Sequence, residues 1–180
     1  MKRTSAVLTV TIAVTLSFTL GCRKSEEPQS NTSVIALPST LFLAKAPPDV
    51  TSIAALKSLA QEGDTVTIKA VVGGRLQAFV ANRAVMTVID ATVDNPCTGK
   101  DDHCQTPWDY CCTPPDQLLP QMASVQILGA DNRPLAVDLT TIEKLKPLNT
   151  LVIQGTVGPR PDEATLVIHT TGIFVAVQQG

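Results

Sequence analysis

Cys97, His103, Cys104, Cys111 and Cys112 all fall between Asp94 and Pro115, whereas the only other cysteine and histidine, Cys22 and His169, stand far away. Two chemistries suit such a set. The first is crosslinking: four cysteines allow three pairings, and joining the neighbours Cys111 and Cys112 would close a strained small ring. That leaves Cys97 to Cys111 with Cys104 to Cys112, or Cys97 to Cys112 with Cys104 to Cys111. Either pattern would stabilise the loop by roughly 2 to 3 kcal/mol per bridge on the chain-entropy model. The second is ligation of a soft cation such as zinc or copper by thiolate and imidazole, using Cys97, His103, Cys104, Cys111 and Cys112, with Asp101 or Asp109 as a further donor. Spacing opposes it, because zinc ligands usually come as pairs two to four residues apart and here the gaps are six residues, six and none. A redox-active pair has less support still, since the chain has no Cys-x-x-Cys. Two disulfides are therefore the expectation, and a metal or thiol-redox site the alternative.

The same segment holds the only tryptophan and the only tyrosine, Trp108 and Tyr110. Large rings give a crosslinked loop something to pack on, and they also suit a contact surface. Packing is the stronger reading for Trp108, and the two readings balance for Tyr110. Arg75, Phe79, Arg83 and Arg160 come from neighbouring loops, so with Trp108 and Tyr110 they form the expected ligand face. Taken singly, each arginine also reads as an ordinary solvated charge.

The compartment follows from the other end of the chain. Residues 4–21 carry no charge and follow Lys2-Arg3, the layout of a secretory signal, and a run of about 18 apolar residues is marginal for a permanent span. Thr19-Leu20-Gly21-Cys22 resembles a bacterial lipobox, which implies cleavage after residue 21 and fatty acylation of Cys22. Arg23, in place of the aspartate that retains lipoproteins at the inner membrane, implies the outer membrane. Removing Lys2 and Arg3 leaves 12 basic residues against 16 acidic ones, which recruits no polyanion. Residues 22–49 contain Pro28, Pro38, Pro47 and Pro48 among polar residues and read as a flexible tether. The folded domain is expected over 50–180, with the cysteine insertion at 94–119.

Within that domain, Ile53, Leu56 and Leu59 recur at helical spacing behind a cap at Asp49 or Thr51, and Gly63 stops the helix. Period-two alternation predicts strands near 65–72, 84–92, 123–128, 150–157 and 165–177. Thr140 and Glu143 read as a capping box for a helix carrying Ile142, Leu145 and Leu148. Five strands with one helix between the third and fourth give the order of an OB-fold, a small Greek-key barrel. An antiparallel β-sandwich is the alternative.

The stretches 63–90 and 148–175 are similar to those of secreted bacterial OB-fold proteins. The blocks Phe79-Val80-Ala81-Asn82-Arg83-Ala84-Val85 and Thr106-Pro107-Trp108-Asp109-Tyr110-Cys111-Cys112 resemble an uncharacterised family of bacterial lipoproteins. The resemblance implies fold and location and carries no activity. Nothing in the sequence pairs a histidine with a nucleophile, phosphate-loop and calcium-loop signatures are absent, and the strands lack the basic, aromatic surface that single-stranded nucleic acid needs. The expectation is a non-catalytic binding or assembly module without a cofactor. It sits on a membrane through its lipid and meets another envelope protein, a glycan or a small ligand, but not nucleic acid.

Overall fold

Alternating apolar residues close five strands into a barrel in the computed structural model, which describes residues 36–99 and 103–177. The expected signal segment, Cys22, the first part of the tether and Asp101 lie outside the described residues. The strands are β1 (Thr65–Val72), β2 (Val85–Asp90), β3 (Met122–Gln126), β4 (Thr150–Val157) and β5 (Val167–Val177). Their order around the barrel is β1-β2-β3-β5-β4, with β4 pairing back onto β1. The β3–β5 pair is parallel and every other pair antiparallel. This is the OB-fold-like arrangement, and closure through β1 and β4 excludes the sandwich, which would leave sheet edges. Among the described residues no helix is long and apolar enough to cross a membrane.

Inside lie Ile68, Ala70 and Val72 of β1, Met86 and Val88 of β2, Val125 of β3, Leu151 and Ile153 of β4, and Ile168 and Ile173 of β5, all at most 1 % exposed. Ile68 faces Ile153 across the β1–β4 ladder. The ladder of β4 and β5 shifts register at Gln154/Gly155. A Cβ at Gly155 would overlap the carbonyl oxygen of His169 on the neighbouring strand, so this bend requires glycine.

Helix α1 (Ile53–Leu59) buries Ile53 and Leu56 against the barrel but leaves Leu59 79 % exposed, because the helix ends there at Ala60. Its cap is Ser52, whose hydroxyl accepts from the Ala55 N–H at 3.3 Å, rather than Asp49 or Thr51. Thr51 is already committed to β1, its N–H donating to the Thr67 carbonyl at 2.8 Å. A second acceptor for the helix start comes from the buried carboxylate of Asp90 at the end of β2, whose Oδ2 accepts from the Ile53 N–H at 2.8 Å. Its Oδ1 takes the Thr92 N–H and hydroxyl at 3.0 and 2.7 Å.

Two expectations change in detail. The helix between β3 and β4 is realised as two 3-10 turns, Leu139–Thr141 and Glu143–Leu145. Asp138 accepts from both the N–H and the hydroxyl of Thr140, and Glu143 pairs with Lys146 at 2.6 Å, so neither half of the capping box is available. Leu139 and Leu145 nevertheless reach the core. The tether also ends earlier than residue 49. Leu41 is buried, Phe42 bridges Ile173 in parallel, the Leu43 N–H donates to the Ile173 carbonyl at 2.8 Å, and the Lys144 ammonium sits 4.7 Å from the Phe42 ring centroid. Apolar residues 41–43 pack onto the barrel.

Candidate functional site

The insertion between β2 and β3 has little regular structure, and its order comes from short side-chain bridges. Asn95 accepts the Cys97 N–H at 3.0 Å and donates through Nδ2 to the Pro107 carbonyl at 2.8 Å, tying the two limbs of the loop together. Asp109 accepts the Cys111 N–H at 2.9 Å and the Thr106 hydroxyl at 3.0 Å. These are Asx-type turns, in which a short polar side chain substitutes for a missing ladder. Helix α2 (Pro115–Leu118) then leads back to β3.

Tyr110 is the loop's anchor. It adopts a left-handed backbone (φ 57°), is 2 % exposed, and packs with Ile89, Leu118 and Met122 in a small second core. Burial raises its hydroxyl above the ordinary tyrosine range, against a lowering contribution from Asn95. Trp108 is the more accessible ring, so packing, the balanced reading for Tyr110, falls to Tyr110, and Trp108 is only partly buried. The Trp108 indole N–H donates to the Leu76 carbonyl at 3.1 Å, and its own carbonyl accepts the Gly74 N–H at 2.8 Å. The loop thus docks on the Gly73-Gly74 bend that follows β1. A Cβ at Gly73 would overlap the Trp108 carbonyl oxygen.

The sulfurs of Cys97, Cys104 and Cys112 each contact that of Cys111. Cys111 Sγ lies 3.6 Å from Cys97 Sγ, 3.5 Å from Cys104 Sγ and 3.8 Å from Cys112 Sγ. The expected disulfides are not formed: these are contact distances, against about 2.05 Å for a sulfur–sulfur bond. Cys97, Cys111 and Cys112 all lie within 4.8 Å of one another, and so do the ligand atoms of Cys104, Asp109 and Cys111. His103 is exposed and belongs to neither group, and Asp101 lies outside the described residues. Cys97 is buried, while Cys111 and Cys112 are exposed. Burial pushes the Cys97 thiol up, but hydrogen bonds from Cys112, Cys111 and Cys104 outweigh it and hold the thiol below its ordinary value. The Cys111 thiol is pushed well above the thiol range by the same contacts, Cys104 first.

The three arginines do not share a groove. Arg160 closes off the C-terminal end of α1, its guanidinium donating to the carbonyls of Ala60, Lys57 and Glu163 at 2.5, 2.6 and 2.9 Å. It is a structural clamp, because cations that satisfy the last carbonyls of a helix stabilise it. Arg160→Ala is expected to lower stability by about 1–2 kcal/mol, read as an earlier denaturant midpoint, without affecting ligand recognition elsewhere. Arg75 is exposed beside Lys57, Thr87, Met122 and Leu166, and Arg83 is exposed on the turn before β2.

Two hollows flank the loop. The larger, about 920 Å³, lies between α1, α2 and the β4–β5 turn, but its cations are already engaged: Lys57 donates to the Leu119 carbonyl at 2.6 Å and Arg160 to helix carbonyls. Burial, followed by repulsion from Arg160, lowers the Lys57 ammonium below the usual lysine range. The smaller, about 310 Å³, is lined by Leu76, Ala78, Phe79, Trp108 and Pro147, with Thr140 and Lys146 among its polar residues. Of the expected contact residues it contains Phe79 and Trp108. Leu76 and Lys146 carried no motif, and Thr140 was read only as half of a capping box. His169 packs its ring where a Cβ at Gly158 would stand, 2.6 Å from Nε2, which is a packing role. No family model, no curated protein and no solved structure matches this chain.

Proposed function

We propose that this chain is an exported lipoprotein, acylated at Cys22 and held at the periplasmic side of the outer membrane, that serves as a non-catalytic binding or assembly module. The barrel is the platform, and the cysteine loop is the element that shapes the recognition surface. One observation carries the reading: Trp108 is held half-exposed by two backbone hydrogen bonds at the rim of an apolar hollow that also exposes Leu76. A side chain that large, fixed in place before contact, is what an interface uses as an anchor, since little rotamer freedom remains to be lost. The volume suits a single aromatic or branched aliphatic side chain, and the occupant is such an anchor on another envelope protein. Lys146 and Thr140 would orient its polar surroundings.

The test is a photo-crosslinking residue placed at Gln77, on the rim, in cells carrying the full chain. A discrete adduct is expected, and Leu76→Asp, at a 57 % exposed side chain, should abolish it while leaving stability within about 1 kcal/mol of the parent; Trp108→Ala should abolish it as well. Adduct formation that ignores Leu76→Asp would reject this face, and an adduct with glycan or a small molecule would reassign the partner. Fatty-acid labelling that disappears in Cys22→Ser checks the anchor.

A further inference from the structure

We propose that the sulfur cluster is a binding site for a soft d10 cation, zinc or monovalent copper, with Cys97, Cys111 and Cys112 as thiolate ligands. The spacing objection drawn from sequence assumes that neighbouring cysteines point apart. Here the left-handed turn at Tyr110 sends the ring into the second core and returns the chain so that Cys111 and Cys112 both approach Cys97. A metal–sulfur bond of about 2.3 Å in tetrahedral geometry sets sulfur–sulfur edges of about 3.75 Å. The Cys97–Cys111 and Cys111–Cys112 separations, 3.6 and 3.8 Å, match that edge, and the three sulfurs lie within 4.8 Å of one another, whereas Cys104, 3.5 Å from Cys111, groups with Asp109.

The supporting shell points the same way. Ligands in metal sites are oriented by second partners, and here the backbone of Cys97 is held by Asn95 and that of Cys111 by Asp109, itself held by Thr106. Cys97 forms a buried floor, and the exposed Cys111 and Cys112 leave a path for the ion. All-sulfur donors select zinc and monovalent copper over harder cations. Binding needs no oxidant: each thiol that ligates releases its proton to solvent, and the ion keeps its charge state. The sulfur site shares no residue with the lining of the Trp108 hollow, so metal titration and crosslinking at the hollow are read separately.

The experiment uses the full chain in detergent, reduced and kept anaerobic. It is titrated in separate arms with zinc against a chromogenic chelator and with monovalent copper against bicinchoninate. One ion per chain is expected, and the arm that wins identifies it. Cys97→Ser should weaken binding by more than about a hundredfold. So should Cys112→Ser, whose exposed side chain removes no packing and therefore guards against loss of fold. His103→Ala should change affinity less than about twofold, since it belongs to neither ligand group. Failure of both ions to compete, or binding by Cys97→Ser and Cys112→Ser equal to the parent, overturns the site. So does native protein from envelopes that is metal-free and lighter than its reduced form by about four hydrogens, because two disulfides then consume the sulfurs. In that case the 4.8 Å grouping selects Cys97 to Cys112 and Cys104 to Cys111.

Discussion

Asp90→Ala should destabilise the domain by about 3 kcal/mol, lowering its thermal midpoint by about 10 °C. The side chain is 3 % exposed and serves three donors: the Ile53 N–H at the start of α1, and the Thr92 N–H and hydroxyl at the start of the cysteine insertion. Alanine leaves the Ile53 N–H buried without an acceptor, and an orphaned donor costs more than the hydrogen bond itself contributes. Asp90→Asn retains an acceptor at one position and should cost about 1–2 kcal/mol. The effect extends to the loop, because α1 also holds the far end of the insertion through Lys57 and the Leu119 carbonyl. Thermal unfolding with two probes, far-UV dichroism for the barrel and tryptophan emission for the loop, checks it. A shift of less than about 1 kcal/mol for Asp90→Ala would show that the carboxylate is dispensable.

Gly73→Ala is expected to unseat the loop at a cost of about 2–3 kcal/mol, since overpacking against backbone cannot be relieved by a side-chain rotation. The added Cβ would overlap the Trp108 carbonyl oxygen and approach the Tyr110 ring at 3.5 Å. The Gly74 N–H to Trp108 carbonyl bond would break, and with it the rim of the apolar hollow. Gly74→Ala tests a gentler insult at the adjacent residue. Its Cβ meets the flexible Met122 side chain at 3.1 Å, so the cost comes mainly from its φ of 87°, about 1 kcal/mol. Because the chain has one tryptophan, its emission reports the loop directly. Gly73→Ala should shift that emission to the red and expose it to quencher. An unchanged spectrum and midpoint would mean that the loop does not depend on this contact.

Parts of this architecture were readable from residues alone. Alternation in Val66-Thr67-Ile68-Lys69-Ala70 and in Thr150 to Val157 has to put one set of side chains inside, so strand positions came within a few residues. Capping was less legible. Ser52 replaced Asp49 and Thr51 because the Thr51 backbone was taken by β1, and Asp138 took the Thr140 hydroxyl before it could cap a helix. Both outcomes depend on which of several adjacent Ser, Thr and Asp side chains is nearest in space. The candidate site was the least legible. Arg160 has the composition of an anion ligand, but the folded chain places it under the end of α1, where carbonyls claim its donors. Tyr110 became the packed ring and Trp108 the more accessible one because the left-handed turn at residue 110 turns the Tyr110 ring inward.

Side-chain order along the chain is thus enough to determine a five-stranded, mostly β domain and to mark residues 94–119 as the segment where sulfur chemistry is concentrated, because pleat periodicity and composition are local properties. Tertiary structure alone decided that β3 and β5 lie parallel to close the barrel, that Asp90 and Gly73 hold the insertion, and that four sulfurs spaced unfavourably in sequence meet around Cys111. The reason is that such convergence depends on where a turn reverses the chain and which surface it then meets, and neither is encoded in the distance between residues along it.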